Sequence, residues 1–252
     1  MLRHSLMVYD WLVPDWPAPQ RVRAVTTTRT GGVSRAPWAS MNPADHVGDA
    51  ATAVAANRAR LRDALGLPAE PVWLQQVHGV RVVDAARAGE RPEADAAWTD
   101  SPGVVCAVLT ADCLPVVFAD RKGRCVAVAH AGWRGLATGV LEATVGQLPV
   151  PPQELLAWLG PAIGPAAFEV GGEVRDTFMA QDARAVNAFT PGVDGRWFAD
   201  IYVLGRQRLA ACGVTAVYGG GWCTFQDRTR FYSYRRDGMT GRMATLAWLA
   251  GP

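Results

Sequence analysis

At 252 residues, half of them hydrophobic, the chain is long enough to bury a substantial core without disulfide or metal staples. Lys and Arg total 25 against 23 Asp and Glu, a formal charge of +2 with no basic run or tail, which argues against a nucleic-acid partner. Five cysteines lack paired short spacing, and the N-terminal stretch meets Asp10 and Pro14 before any signal-like apolar run forms. A reducing, cytoplasmic location is therefore expected, with no membrane span.

The first strand signal, Arg21 to Thr28, ends in Arg29-Thr30-Gly31-Gly32, a loop suited to an anion or to a plain surface turn. Asp49 is a plausible N-cap for a helix carrying Val54, Leu61 and Leu65 and stopped at Gly66-Leu67-Pro68. Asn42 and His46 lie in the loop before it, where His46 reads as structural. Pro71 to Val77 and Val80 to Val83 look like strands around Gln75-Gln76-Val77-His78-Gly79, whose glycine frees the histidine to face a cleft.

Asp95, Trp98, Thr99 and Asp100 lead into a strand from Val104 to Leu109 that delivers Thr110-Ala111-Asp112-Cys113. Pro115 opens the next strand, Asp120 to Gly123 suits a hairpin turn, and a buried strand from Cys125 to Ala129 leads to His130. Gly132-Trp133-Arg134-Gly135 then feeds a helix from Leu136 to Leu148, and its amides and arginine suit a phosphate. A strand follows in LLAWLG, and a rigid loop in Gly160 to Pro165. Next come a short helix with Val170, Val174 and Phe178 on its apolar face, a polar loop from Pro191 to Arg196, and a helix capped by Asp200 that runs to about Ala211. After a strand in VTAVYGG comes a loop rich in aromatics and cations, with Phe231, Tyr232, Tyr234, Arg235 and Arg236. Arg242 to Leu249 is expected to close the chain as a helix.

His78, Cys113 and His130 stand out as ligands from different strand ends. Imidazole and thiolate suit zinc, and three protein ligands leave a position open for water or substrate. Asp112 is placed to orient a histidine or handle a proton, and Gln76 to bond substrate. Two other readings stay open: Cys113 as a nucleophile with a histidine base, or Cys113 as a core thiol.

The motifs TTRTGG, NPADHVGD, NRARL, QQVHG, TADCLPV, HAGWRGL, GPAIGP and FYSYRRDGMTGR closely resemble the multicopper polyphenol oxidase, or laccase-domain, family. That family is also described as purine nucleoside phosphorylases with adenosine deaminase activity, and includes the peptidoglycan editing factor. The resemblance covers nearly the whole chain, read as a single domain over residues 1–252. It implies an α/β fold, a compact layered sandwich with mixed sheets resembling cysteine-hydrolase-like folds, and it puts the family's metal ligands on His78, Cys113 and His130.

Ala166-Ala167-Phe168 stands where many relatives place cysteine, and only four histidines are present, so a multicopper centre is disfavoured. The expectation is a Zn2+ enzyme, with copper as the second choice of metal. It would act on a purine nucleoside and inorganic phosphate, with adenosine deamination alongside; the alternatives are a Cys-His amidase acting on a peptidoglycan precursor, or a polyphenol oxidase. Asp112, Cys113 and Arg134 are the expected catalytic residues. Arg29, Gln76, Phe231 and Arg235 are expected to bind substrate, with Phe231 or Tyr232 stacking on the base, in a monomer.

Overall fold

The computed structural model describes residues 9–251, so the first eight residues of the stretch read for a signal lie outside it. Strand β4 (Val105–Thr110), strand β12 (Met243–Leu249) and strand β1 (Val22–Thr26) form an antiparallel sheet with β12 in the centre. A six-stranded mixed sheet lies against it. Its order is β11 (Ala216–Gly219), β7 (Leu155–Leu159), β5 (Leu114–Asp120), β6 (Val126–Ala131), β3 (Ala96–Thr99) and β2 (Val82–Asp84). The outer pairs β11/β7 and β2/β3 are parallel, and the inner pairs are antiparallel.

Side-chain alternation sets the layers. Cys106, Val108, Ala247 and Leu249 of the smaller sheet pack with Val117, Val126 and Val128 of the larger one, so the two sheets share one apolar interior. The outer face of the smaller sheet, with Ala107, Leu109 and Leu246, is covered by Leu61 and Leu65 of helix α1 (Ala51–Leu65). Leu114, Val116, Ala127 and Ala129 on the far face of the larger sheet pack under helices α2 (Trp133–Thr138), α3 (Val140–Gln147), α4 (Gly172–Met179) and α5 (Ile201–Ala211). A three-stranded antiparallel sheet of β8 (Glu169–Val170), β10 (Trp197–Ala199) and β9 (Phe189–Pro191) lies at the side, and a short helix α6 (Tyr234–Asp237) precedes β12. The result is a layered mixed α/β fold. Among the described residues no helix is long and apolar enough to cross a membrane.

Several expectations need correction. Arg242 to Leu249 does not form a helix: residues Met243–Leu249 are strand β12, buried on both faces, and such a strand shows the same unbroken apolar run as a buried helix. The helix expected over Leu136 to Leu148 is two, broken where Gly139 takes φ +105°. Pro71 to Val77 makes only single bridges, at Val72 and Gln75, and β2 starts at Val82. Val170 belongs to β8 and precedes α4, and Pro191 ends β9. Ala50, with no side-chain bond to offer, is the N-cap of α1. The Asp49 carboxylate instead accepts from Ser34 Oγ (2.6 Å) and Asn42 Nδ2 (2.9 Å), tying the preceding loop together. Asp200 does cap α5, accepting from the amides of Tyr202 and Val203.

Candidate metal centre

Three strand ends meet at one rim of the sheet pair. β4 runs out at Thr110 and the chain crosses to β5 at Leu114, leaving Cys113 in the crossover. His130 sits on β6 opposite Pro115 of β5, so ladder register places it two residues from the cysteine's level. Val126 and Val128 point between the sheets, and His130, two residues on, points the same way. His78 arrives from the loop before β2. One ligand atom from each of His78, Cys113 and His130 lies within 4.8 Å of the others. Cys113 Sγ is 3.9 Å from His78 Nε2, and the two imidazoles meet edge to face with centroids 4.7 Å apart.

One buried carboxylate positions both imidazoles. Asp95, fully buried at the start of β3, accepts from His130 Nδ1 at 2.8 Å, which leaves Nε2 of that ring directed at the cluster. The same carboxylate accepts from the amides of Val77 (3.2 Å), His78 (2.9 Å) and Gly79 (2.6 Å). Those bonds hold His78 at φ +60°, a conformation that costs about 1–3 kcal/mol without such support. Burial raises the Asp95 pKa, but the His130 ring and the Gly79 and Val77 amides outweigh it and hold the carboxyl below its usual range. Burial also opposes the Cys113 thiolate, yet the facing His130 and His78 pull the thiol well below its ordinary value. His130 is raised in turn, since Cys113 and Asp95 overcome the burial that would lower it.

Glycine permits the close approach. A Cβ on Gly132 would stand 2.8 Å from His78 Cδ2 and 3.0 Å from Cys113 Sγ, and one on Gly135 would stand 2.8 Å from Gly79 O. The segment between β6 and the first turn of α2 can therefore lie directly over the histidine loop. Two imidazoles, one thiolate-prone cysteine and a carboxylate behind one imidazole suit a metal at bond lengths of roughly 2.0–2.3 Å.

Two cavities share this wall. The first, about 240 Å³, is lined by Trp133, Ile163, Phe168 and Ile201 together with Arg134 and Arg235. The second, about 420 Å³, reaches His46, Thr110 and Arg242 and also touches Arg134. His78, Ala111, Cys113 and Tyr234 border both.

The remaining residues expected at the site divide sharply. Arg134 faces both cavities, its guanidinium resting 4.6 Å above the Trp133 ring. Arg235 lines the first cavity while donating to Glu169 O (2.7 Å). Asp112 borders that cavity, but its carboxylate accepts from Thr224 Oγ1 (2.5 Å), Ser233 Oγ (3.1 Å) and Arg235 N (2.7 Å), bonds that support its own φ of +89°. It therefore fixes the turn carrying Cys113.

Gln76 lines the second cavity and spends both ends of its amide on the backbone of Leu109, at 2.8 and 2.7 Å, which ties the histidine loop to β4. Phe231 and Tyr232 are completely buried beside Ala111 and Met243 and offer no face to a base. Arg29 borders neither cavity: it donates to Ala39 O (3.2 Å) and Arg228 O (3.1 Å) and stacks on Tyr232. Sequence reasoning missed Asp95, Thr110, Phe168 and Arg242 as members of the site. Asp95 stood in a loop with no motif around it, and nothing local marked it.

Fold and site together define a layered α/β protein with a His-Cys-His metal-binding cluster at its strand ends. Residues 23–250 match the model of the family described as multi-copper polyphenol oxidoreductase laccase, and the chain belongs to that family. A Pseudomonas aeruginosa protein named purine nucleoside phosphorylase is 62% identical over 240 residues, covering 95% of this chain and 98% of that one. Escherichia coli purine nucleoside phosphorylase YfiH is 54% identical, over 94% of this chain and 98% of its own. A crystal structure of a Neisseria meningitidis protein superposes with a TM-score of 0.93 at 51% identity, covering 96% of this chain and all of that one. Geobacillus stearothermophilus YlmD, 31% identical over 96% of both chains, superposes with a TM-score of 0.86.

Proposed function

We propose that this protein is a metal-dependent purine nucleoside phosphorylase whose metal is held by His78, Cys113 and His130. The observation that carries the reading is the ligand trio beside two adjoining cavities, one aromatic and one arginine-lined: His78 and Cys113 stand in the wall they share, and His130 lines the second. The names borne by the Pseudomonas and Escherichia relatives point the same way. Zinc is the proposed ion, and copper accepts the same two nitrogens and one sulfur. When bound, the cation supplies a Lewis-acidic charge beside the reacting groups.

In the reaction, a phosphate oxygen bonds to C1′ of the ribose as the bond from C1′ to the purine nitrogen breaks, and a proton passes to the departing base. Phe168, Ile163 and Trp133 give a purine a flat, largely dry seat in the first cavity. Arg134 provides fixed positive charge for the anionic partner, and its fork geometry matches two phosphate oxygens. Adenosine deamination needs a carboxylate to move protons. Asp112, the carboxylate bordering the first cavity, is already committed to three donors, so phosphorolysis is the better served reaction.

The test incubates metal-analysed protein with adenosine or inosine, with and without phosphate. Free base that appears only with phosphate supports the reading, and no base release under metal-replete conditions rejects it.

A second reading rests on Cys113, His130 and Asp95, which stand as thiol, imidazole and orienting carboxylate, the arrangement of a cysteine nucleophile. It would cleave amide bonds in a peptidoglycan precursor, and unlike phosphorolysis it would survive chelation of the metal.

A further inference from the structure

The second cavity has a composition that phosphorolysis by the metal trio does not by itself require. Its lining includes two guanidinium groups, Arg134 and Arg242, together with His46 and Thr110, and it contains no Asp or Glu. Neither arginine forms a salt bridge among the described residues. Arg242 is half-buried with its guanidinium 5.9 Å from the Tyr234 ring centroid, and the hydrogen bonds of that guanidinium run from Nη1 alone, to the carbonyls of Thr240 and Gly241 (both 3.0 Å). A half-buried guanidinium with no ion pair carries a desolvation cost, and that cost falls when an anion arrives.

An independent sign comes from the opposite strand. Thr110, the last residue of β4, is 1% exposed and lines the same cavity, yet its Oγ1 has no hydrogen-bond partner. A buried hydroxyl left unpaired costs about 1–3 kcal/mol. Strand register explains the convergence: Met243 of β12 pairs with Thr110 of β4, so Arg242, one residue earlier, leaves the ladder beside the threonine. Asn42 Oδ1 accepts from the Arg242 amide (3.0 Å) and so binds the loop carrying His46 to the same corner. His46 is 3.6 Å from Asp45, a carboxylate also shared with Arg58 and Arg91.

We propose that this bay is the seat of a tetrahedral oxyanion, inorganic phosphate, held by Arg242 and Arg134 with Thr110 donating its hydroxyl. The nucleoside then occupies the aromatic cavity across the trio, and phosphate meets C1′ from the Arg242 side. The assignment of the anion as co-substrate rests on the phosphorylase reading, whereas the binding site itself does not.

The experiment titrates the metal-loaded protein with inorganic phosphate by calorimetry, in the absence of nucleoside. Wild type, Arg242→Gln, Arg242→Lys, Thr110→Val and the remote control Arg87→Gln are compared. Arg242→Gln is expected to weaken phosphate binding at least tenfold, Arg242→Lys to restore part of it, and Arg87→Gln to match wild type. Thr110→Val keeps the side chain's shape and removes the unpaired hydroxyl. It is expected to raise the melting temperature without phosphate and to weaken phosphate binding several-fold, a pairing that a purely structural threonine would not produce.

Phosphate affinity unchanged in both Arg242→Gln and Thr110→Val overturns the site, even if the enzyme phosphorolyses nucleosides. Affinity lost in both, with no phosphate-dependent base release by wild type, keeps the site and rejects the phosphorylase reading. Arg242-dependent binding confined to adenosine 5′-monophosphate overturns free phosphate as the occupant and assigns the bay to a phosphate carried on the substrate.

Discussion

Asp95 makes four hydrogen bonds around two of the three metal ligands, and no other residue of the site reaches so many. Asp95→Asn replaces an oxygen acceptor by an amide nitrogen facing donors, so the His130 ring and the His78 loop lose their common anchor. Metal affinity measured by chelator competition should fall roughly 10–100-fold. Unchanged affinity would show that the ligands are positioned without it.

Cys113 differs from its fellow cysteines in the same local way. Burial pushes the thiols of Cys106, Cys125 and Cys212 up, whereas the two imidazoles bring that of Cys113 down. In metal-free protein at neutral pH, iodoacetamide should label Cys113 well ahead of those three, and added zinc should suppress the labelling. Peptide mass spectrometry reads both outcomes.

The turn between β6 and α2 converts a strand pairing into a site. Gly132 and Gly135 let that turn lie against His78 and Gly79, where a methyl group would sit at 2.8 Å from each. Gly132→Ala is therefore expected to move the ligands while leaving the sheets intact. Metal affinity should drop roughly tenfold, comparable to loss of a supporting contact, with a far-ultraviolet spectrum equal to wild type. Wild-type affinity in this variant would mean that the turn has slack to yield.

β12 teaches a related lesson. MATLAWL carries no alternation to distinguish strand from helix, because one of its faces meets α1 and the other meets the larger sheet. Only its placement between β1 and β4 decides the matter, and that placement also brings Arg242 to the second cavity.

Across the whole molecule, stability and the metal cluster are linked through pH. The Asp95 pKa is lower in the folded chain than its unfolded value of about 3.9, so its stabilisation is complete above that pH. It is lost as pH falls through the lower folded value. Urea denaturation of metal-free protein should show a steep acid limb below pH ~4, and Asp95→Asn should flatten that limb. An identical limb in the variant would place the acid sensitivity elsewhere.

Local pattern was enough to determine the α/β class, most strands of the two main sheets and the Asp200 cap, and the motifs that carry the family resemblance singled out the three residues of the His-Cys-His cluster. Apolar runs, turn residues and the motifs around His78, Cys113 and His130 are contiguous in the chain, so the sequence carries them directly. Tertiary structure alone decided that Phe231 is core, that Gln76 and Asp112 brace the loops around the cluster, that Arg29 lies outside both cavities, that Asp95 bonds two members of the cluster, and that Thr110 and Arg242 line the second cavity. The physical reason is that a polar side chain's role depends on which donors, acceptors and charges surround it after folding. Here those partners come from strands as far apart in the chain as Thr110 and Met243, brought side by side by ladder register.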